Sequence, residues 1–254
     1  MKTVGIIPAR LQSTRLPRKL LLAETGRPLI RYIWDTAVSC PELDEVIVAT
    51  DSQEIAEVVR LFGGRAEMTG EHPSGTDRIA EVVRRCCSDA DMIINLQGDE
   101  PELPVETVSA LVSELKSSSC DMATVAAPIS CAQMVRDPSC VKVVTDIHGR
   151  ALYFSRSAIP YSRDVTVEQQ LDSDAPSPWL LHIGLYAYRR EFLLRLTTMP
   201  PSPLEQLERL EQLRALQAGA GISVAVVNHM AGGIDTPEDY AAFVRRCQPQ
   251  RRVA

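Results

Sequence analysis

Four short apolar runs constrain the fold of this chain more than any other feature: TVGII at 3–7, EVIVAT at 45–50, MIINLQ at 92–97 and ISVAVV at 222–227. Each is rich in β-branched residues and is followed by loop residues, the pattern of strands buried on both faces. Helical stripes lie between them. Leu29, Ile30, Ile33, Trp34, Ala37 and Val38 recur on one face, and Ile55, Val58, Val59 and Phe62 on another. Strand and helix in alternation predict an α/β fold with a mostly parallel sheet.

A further helix is expected over 104–115, opened by Pro104. The pattern then changes. MATVAAPI, VKVVTDIHGRALYFS and LLHIGLYAY read as strands without intervening helices, with DIHGR as a hairpin turn. The expectation is one domain over 1–254 with an antiparallel lobe inserted at 121–188. Within it, the polar, proline-punctuated stretch 162–178 reads as a mobile excursion. Residues 203–217, PLEQLERLEQLRALQ, read as one amphipathic helix with Leu204, Leu207, Leu210 and Leu213 as its buried stripe. DTPED opens the last helix, with Thr236 as N-cap and Pro237 at its first position.

At 254 residues and 45% hydrophobic content the chain can bury a sizeable core, and a net charge of −6 argues against a general nucleic-acid binder. Seven cysteines without a CxxC pair support neither a disulfide framework nor a zinc site, so a reducing cytoplasm is expected. No run of about 18 apolar residues occurs and the N-terminal apolar run is too short for a signal peptide, so no membrane partner is expected.

Against that acidic balance, Lys2, Arg10, Arg15, Arg18, Lys19, Arg27 and Arg31 face a single acid, Glu24, in the first 31 residues. The loop IPARLQSTRLPRKLL follows the first strand, where open α/β folds bind ligands, so it reads either as an anion site or as a solvated loop of long cations. HPSGTDR at 72–78 leads into a helix: Ser74, Gly75 and Thr76 can offer donors to a ligand, or Ser74 or Thr76 merely caps the helix. Asp99 and Glu100 in LQGDEPELP follow the strand MIIN, and Asp235 is similarly placed after ISVAVV. Carboxylates at strand ends beside a basic loop describe a nucleotide-plus-Mg²⁺ site.

IPARLQSTRLPRKLL, EVIVATD, HPSGTDR, NLQGDEP, VKVV, ALYFSRSAIP, HIGLYAYRREF, SPLEQLERLEQLR and GIDTPEDY occur in the order seen in the 3-deoxy-manno-octulosonate cytidylyltransferases, or CMP-Kdo synthetases, which the chain resembles over nearly its whole length. That resemblance implies a three-layer α/β/α nucleotidyltransferase fold with a mixed, mostly parallel central sheet. It also implies transfer of CMP from CTP to the anomeric hydroxyl of 3-deoxy-D-manno-octulosonate (Kdo), for lipopolysaccharide biosynthesis, by a homodimer built largely through the inserted lobe. Arg10, Arg15 and Lys19 would then neutralise the triphosphate, and Asp99 and Asp235 would hold Mg²⁺. Ala9, Ser74, Arg78 and Gln97 would recognise the nucleotide, and Arg156, His182, Tyr186, Glu211 and Gln212 would line the sugar pocket.

Two residues depart from the family pattern RLPGKPL: Arg18 stands at the glycine and Leu20 at the second proline. The expectation is that the backbone here does not depend on a glycine-only conformation and that Arg18 points into solvent. Rival readings are a CMP-sugar synthetase for an amino-substituted Kdo or a sialic acid, and a non-catalytic nucleotide sensor of the same fold. Retention of Lys19, Asp99 and Asp235 favours turnover over sensing.

Overall fold

A computed structural model describes residues 1–13, 15–228 and 232–248. The chain divides into two compact units, the first made of Met1–Ala90, Asn95–Val105 and the described part of the C-terminal segment, the second of Asp91–Ile94 and the chain from Glu106.

The first unit begins with β1 (Thr3–Ala9), followed by α1 (Leu29–Ser39), β2 (Glu45–Thr50), α2 (Gln53–Leu61), β3 (Ala66–Met68) and α3 (Gly75–Cys86). β1 pairs in parallel with β2, and β2 with β3, as the apolar runs predict. Val4, Ile6, Ile7, Ile47 and Val48 are fully buried, and α1 sends Leu29, Ile30 and Ile33 into the same core. Val38, expected on that stripe, is instead 53% exposed, while Ala37 beside it is fully buried, so the buried face of α1 narrows in its last turn. Ser52 and Ser74 cap α2 and α3 by accepting from Ile55 N and Asp77 N.

β4 (Met92–Asn95) carries the chain between the units, and α4 (Val105–Ser117) starts directly after Pro104. The second unit continues with β5 (Met122–Pro128), α5 (Ala132–Arg136), β6 (Lys142–Thr145), β7 (Ala151–Ser155), α6 (Val167–Leu171), β8 (Leu180–Arg189), α7 (Arg190–Leu196), α8 (Pro203–Glu208), α9 (Gln212–Gln217) and β9 (Ile222–Val226). β5 pairs antiparallel with β8 and parallel with β9, and β6 pairs antiparallel with β7 and β8. The fold class is therefore the expected α/β with a mixed sheet. Asp146 N donates to Arg150 O across the turn DIHGR. The stretch 162–178 contains α6, fixed by a reciprocal Thr166–Gln169 capping box and by Val167 and Leu171 packing beside Ile129, Val135 and Trp179.

The expected single helix over 203–217 is two. Arg209 adopts a left-handed conformation at φ 55°, ψ 48°, and Leu207 is 82% exposed while Leu210 and Leu213 are buried. Arg214 bonds Glu205 through Nε at 2.8 Å and Nη2 at 2.5 Å. Nine residues of straight helix would separate these partners by roughly 13 Å, so this pair requires the chain to fold back. α10 (Pro237–Cys247) closes the first unit, capped by Thr236 with Pro237 in its first turn as predicted. No described helix is long and apolar enough to cross a membrane.

Arg18 departs from expectation in its backbone, while its side chain is exposed as expected. Its backbone lies at φ 56°, ψ 26°, the left-handed region that favours glycine, and its guanidinium pairs with Glu54. The conformation survives the loss of glycine because Leu21 N and Leu22 N still close the turn onto Arg18 O and Lys19 O. Arg18→Gly and Arg18→Ala both lose the ion pair, but only glycine is relieved of left-handed strain. Arg18→Gly should therefore be the more stable variant by about 0.5–1 kcal/mol, and equal urea midpoints would contradict this.

Candidate active site

The first unit gathers the expected catalytic residues around the end of β1. Ala9 is buried opposite Thr50, and Arg10 is exposed immediately beyond it. The loop then folds back into a single 3-10 turn, Lys19–Leu21, which leaves Lys19 only 8% exposed. Lys19 Nζ donates to Asp99 Oδ2 at 2.6 Å and to Asp235 Oδ1 at 3.2 Å. Arg15 Nη2 lies 2.9 Å from the other oxygen of Asp235. Two acids more than a hundred residues apart in sequence thus share one ammonium group.

Backbone geometry accounts for the meeting. A Cβ on Gly98 would come within 3.3 Å of Leu20 and 3.5 Å of Ile7, so glycine lets the Asp99 loop lie against the Lys19 turn. Ile234 N donates to Asp99 O at 2.9 Å and draws Asp235 alongside. Asp239 then accepts from the amides of Asp235 and Thr236, fixing the loop at the start of α10. Beneath, Leu16, Leu29, Ile234, Tyr240 and Phe243 form one apolar cluster.

Glu100, singled out by no motif beyond its place next to Asp99, is 8% exposed, and its Oε2 has no partner among the described residues. Burial first, and the Asp99 charge second, push its carboxyl up to about 8, so it is largely protonated at neutral pH. The only sequence signal was an acid that follows a buried strand with no base nearby.

Residues expected at the nucleotide are placed nearby but with their polar groups partly engaged. Ser74 both accepts from Asp77 N and donates to Asp77 Oδ2 at 2.9 Å, so capping occupies its hydroxyl. Arg78, 4% exposed, donates to Thr69 Oγ1 at 2.6 Å and to Asp51 Oδ2 at 2.5 Å. Gly75 lies against Pro8, where a Cβ would meet Cγ at 3.2 Å, which brings the start of α3 to the end of β1. Gln97 is partly buried just after β4.

The second unit holds the residues expected at the sugar. His182 and Tyr186 share a face of β8, their ring centroids 5.5 Å apart, and Phe154 meets His182 edge-on at 4.9 Å. Tyr186 Oη donates to Gln212 Oε1 at 3.1 Å. Gln212 is 4% exposed, and its Nε2 has no partner among the described residues. Glu211 is exposed at the N-cap position of α9. Arg156, just past β7, directs its guanidinium to the carbonyls of Pro138, Glu208 and Arg209.

Thr124 Oγ1 donates to Leu185 O at 2.7 Å, across an irregularity in the β5–β8 pairing, and lies 3.0 Å from His182 Nε2. With its proton spent on Leu185, the hydroxyl accepts from Nε2–H, leaving Nδ1 as an acceptor. Burial pushes the His182 imidazole down to about 3.

These observations are those of a nucleotidyltransferase. Residues 4–223 match the family model described as Cytidylyltransferase, and the chain belongs to the cytidylyltransferase family. Within that family it is similar to enzymes of the kind the motifs led us to expect. It is 46% identical over 252 residues to the 3-deoxy-manno-octulosonate cytidylyltransferase of Rhodopirellula baltica, covering 98% of this chain and all of that one. The enzyme of the same name from Syntrophobacter fumaroxidans is 47% identical over 247 residues, 96% of each chain. A solved structure of CMP:2-keto-3-deoxy-manno-octonic acid synthetase complexed with CTP is 40% identical with a TM-score of 0.89, over 97% of this chain and 98% of that one. A cytidylyltransferase from Leptospira borgpetersenii, 16% identical with a TM-score of 0.60 over 96% of this chain and 85% of that one, shares the fold alone.

The depressed His182 value sets a pH dependence. The unfolded imidazole takes up a proton near pH 6.5 while the folded one stays neutral, so its contribution to stability is present above about 6.5 and is lost as pH falls toward about 3. His182→Asn should flatten the acid limb of the stability profile in that window. Titration of the His182 resonances above pH 5.5 would contradict it.

Proposed function

We infer that the protein transfers CMP from CTP to the anomeric hydroxyl of Kdo, releasing pyrophosphate, as an activation step for lipopolysaccharide biosynthesis. The observation that carries this reading is the meeting of Lys19, Arg15, Asp99 and Asp235 at one point, in a chain similar along its whole length to 3-deoxy-manno-octulosonate cytidylyltransferases. In the reaction the anomeric hydroxyl gives up its proton to solvent as its oxygen bonds to the α-phosphorus, the bond from that phosphorus to the bridging oxygen breaks, and pyrophosphate leaves with that bond's electron pair. No side-chain nucleophile is needed.

Lys19 and Arg15 are read as the cations that would meet the charge accumulating on the leaving group, and Arg10, exposed on the same loop, as a further contact to the triphosphate. Asp99 and Asp235 carry hard carboxylate oxygens, the kind of ligand Mg²⁺ takes together with substrate phosphates, and in the structure these oxygens pair with Lys19 and Arg15. Mg²⁺ held by these two acids would supply charge neutralisation at the α-phosphate and ease ionisation of the sugar hydroxyl. Ala9, Ser74, Arg78 and Gln97 are read as the nucleotide side. Ser74 and Arg78 act there largely by ordering the α3 turn, since their polar groups already serve Asp77, Thr69 and Asp51. The sugar is assigned to His182, Tyr186, Glu211 and Gln212, with Arg156 beside them. Gln212 Nε2, buried without a partner among the described residues, and the uncharged ring of His182 suit a polyhydroxy acid. Work in the cytoplasm, where CTP is available, and assembly as a homodimer follow the family resemblance.

Pyrophosphate release should require CTP, Kdo and a divalent cation together, stop on chelation and return with Mg²⁺. Sugar-independent CTP hydrolysis as the main activity, or better turnover with an amino-Kdo or a sialic acid, would overturn the assignment. Asp99→Asn, which removes a charge and little volume, should lower kcat on the order of a hundredfold or more while thermal unfolding still shows one cooperative transition. Lys19→Ala should cut turnover more than Arg18→Ala, since Arg18 faces Glu54 and Lys19 faces the two acids. Equal losses would mean that the phosphate contact belongs to another cation.

A further inference from the structure

The polar group around Arg156 has a form that sugar binding alone does not explain. Lys142 is fully buried on β6, and its ammonium donates to Asp137 O at 2.9 Å, Cys140 O at 2.6 Å and Arg156 O at 2.7 Å. Those contacts use all three ammonium protons. Glu208, the last residue of α8, accepts from Ser155 Oγ at 2.7 Å and from Arg156 N at 3.0 Å. In return Arg156 Nε donates to Glu208 O at 2.7 Å, with Nη1 on Pro138 O at 2.9 Å and a longer contact from Nη2 to Arg209 O at 3.5 Å. The exchange is reciprocal: the end of β7 is held by the side chain of α8, and the end of α8 by the side chain that follows β7.

The clasp sits where α8 must stop. The last carbonyls of a helix have no partner within it, and a cation there both bonds them and meets the negative end of the helix dipole. With Glu208 O and Arg209 O taken by Arg156, the chain turns through the left-handed Arg209. Glu211 becomes the N-cap of α9 and Gln212 its first residue. That corner delivers Gln212 to Tyr186 Oη and leaves Gln212 Nε2 buried and unpartnered. A second tie, the Glu205–Arg214 pair, spans the same corner independently. Loosening the clasp should therefore shift the corner and not unfold it.

We infer that Glu208 and Lys142 are positioning residues of the sugar site, acting through Arg156 and the corner between α8 and α9 to hold Gln212 against Tyr186. This rests on the reading that Tyr186 and Gln212 receive the sugar. Glu208 accepts from β7 and orients Arg156. Lys142 fixes the carbonyl of Arg156 and the 137–140 turn from below. Neither needs to touch substrate.

The test titrates Kdo at saturating CTP with Mg²⁺ for the parent chain, Glu208→Ala, Glu208→Gln and Lys142→Met. Calorimetric CTP affinity and amide hydrogen exchange over 210–214 are measured alongside. Glu208→Ala should raise the KM for Kdo about tenfold, the worth of one or two hydrogen bonds, with CTP affinity unchanged within about twofold and exchange over 210–214 accelerated. Glu208→Gln, which keeps the shape and one acceptor, should fall between it and the parent. If Lys142→Met does not fold, the Glu208 pair carries the test alone. A folded Glu208→Ala with unchanged KM for Kdo overturns the inference, and so does a parallel loss of Kdo affinity, CTP affinity and kcat, which marks a merely structural role. Absence of Kdo-dependent turnover in the parent is a different failure: it withdraws the functional reading, and this inference with it.

Discussion

The ammonium group of Lys19 is the interaction on which the first unit depends. It is mostly withdrawn from water, and two carboxylates from distant loops converge on it. A cation withdrawn from water that loses its partners is costly, though Asp99 and Asp235 are 31% and 45% exposed and solvent screens part of the attraction. The loops bearing Asp99 and Asp235 are therefore bound to the Lys19 turn electrostatically as well as through the Ile234–Asp99 backbone bond. On the proposed reading the same convergence would serve a triphosphate and its metal, as fixed charges of both signs arranged before the substrate arrives.

The basic loop is shaped by the sheet as much as by its charges. Arg18 keeps a left-handed conformation that glycine would hold without strain, and Glu54 at the start of α2 takes its guanidinium. Holding that turn places Lys19 inward and Leu20 against Gly98. Local strain is tolerated where the surrounding contacts over-determine the backbone.

The second unit uses another physical device. Three of its candidate ligands are uncharged: His182 is kept unprotonated by burial, and Tyr186 and Gln212 bond each other, while Glu211 stands exposed at the start of α9. Its charges, Lys142, Arg156 and Glu208, are spent mainly on backbone carbonyls and amides. Lys142, Arg156 and Glu208 hold the corner, and on the proposed reading His182, Tyr186 and Gln212 would offer uncharged donors and acceptors to the sugar.

Much of this was legible in the sequence. β1, β2, β4 and β9 follow from their β-branched runs, Thr236 and Pro237 mark the start of α10, and the ordered motifs identify the family, because these signals are local in the chain. The break between α8 and α9 was not legible, since the periodicity of PLEQLERLEQLR suits one helix and only Glu205 meeting Arg214, with Arg156 on the α8 carbonyls, stops it. Spacing offered Ser74 as a cap, which it is, but could not reveal that Arg78 is taken up by Thr69 and Asp51, or that the Oε2 of Glu100 is buried with no partner among the described residues. The sequence by itself determined the strands, the caps and the set of charged residues. The tertiary structure alone decided which charges meet, because Lys19 and Asp235 are 216 residues apart and only the packed sheet and its loops bring them to 3.2 Å.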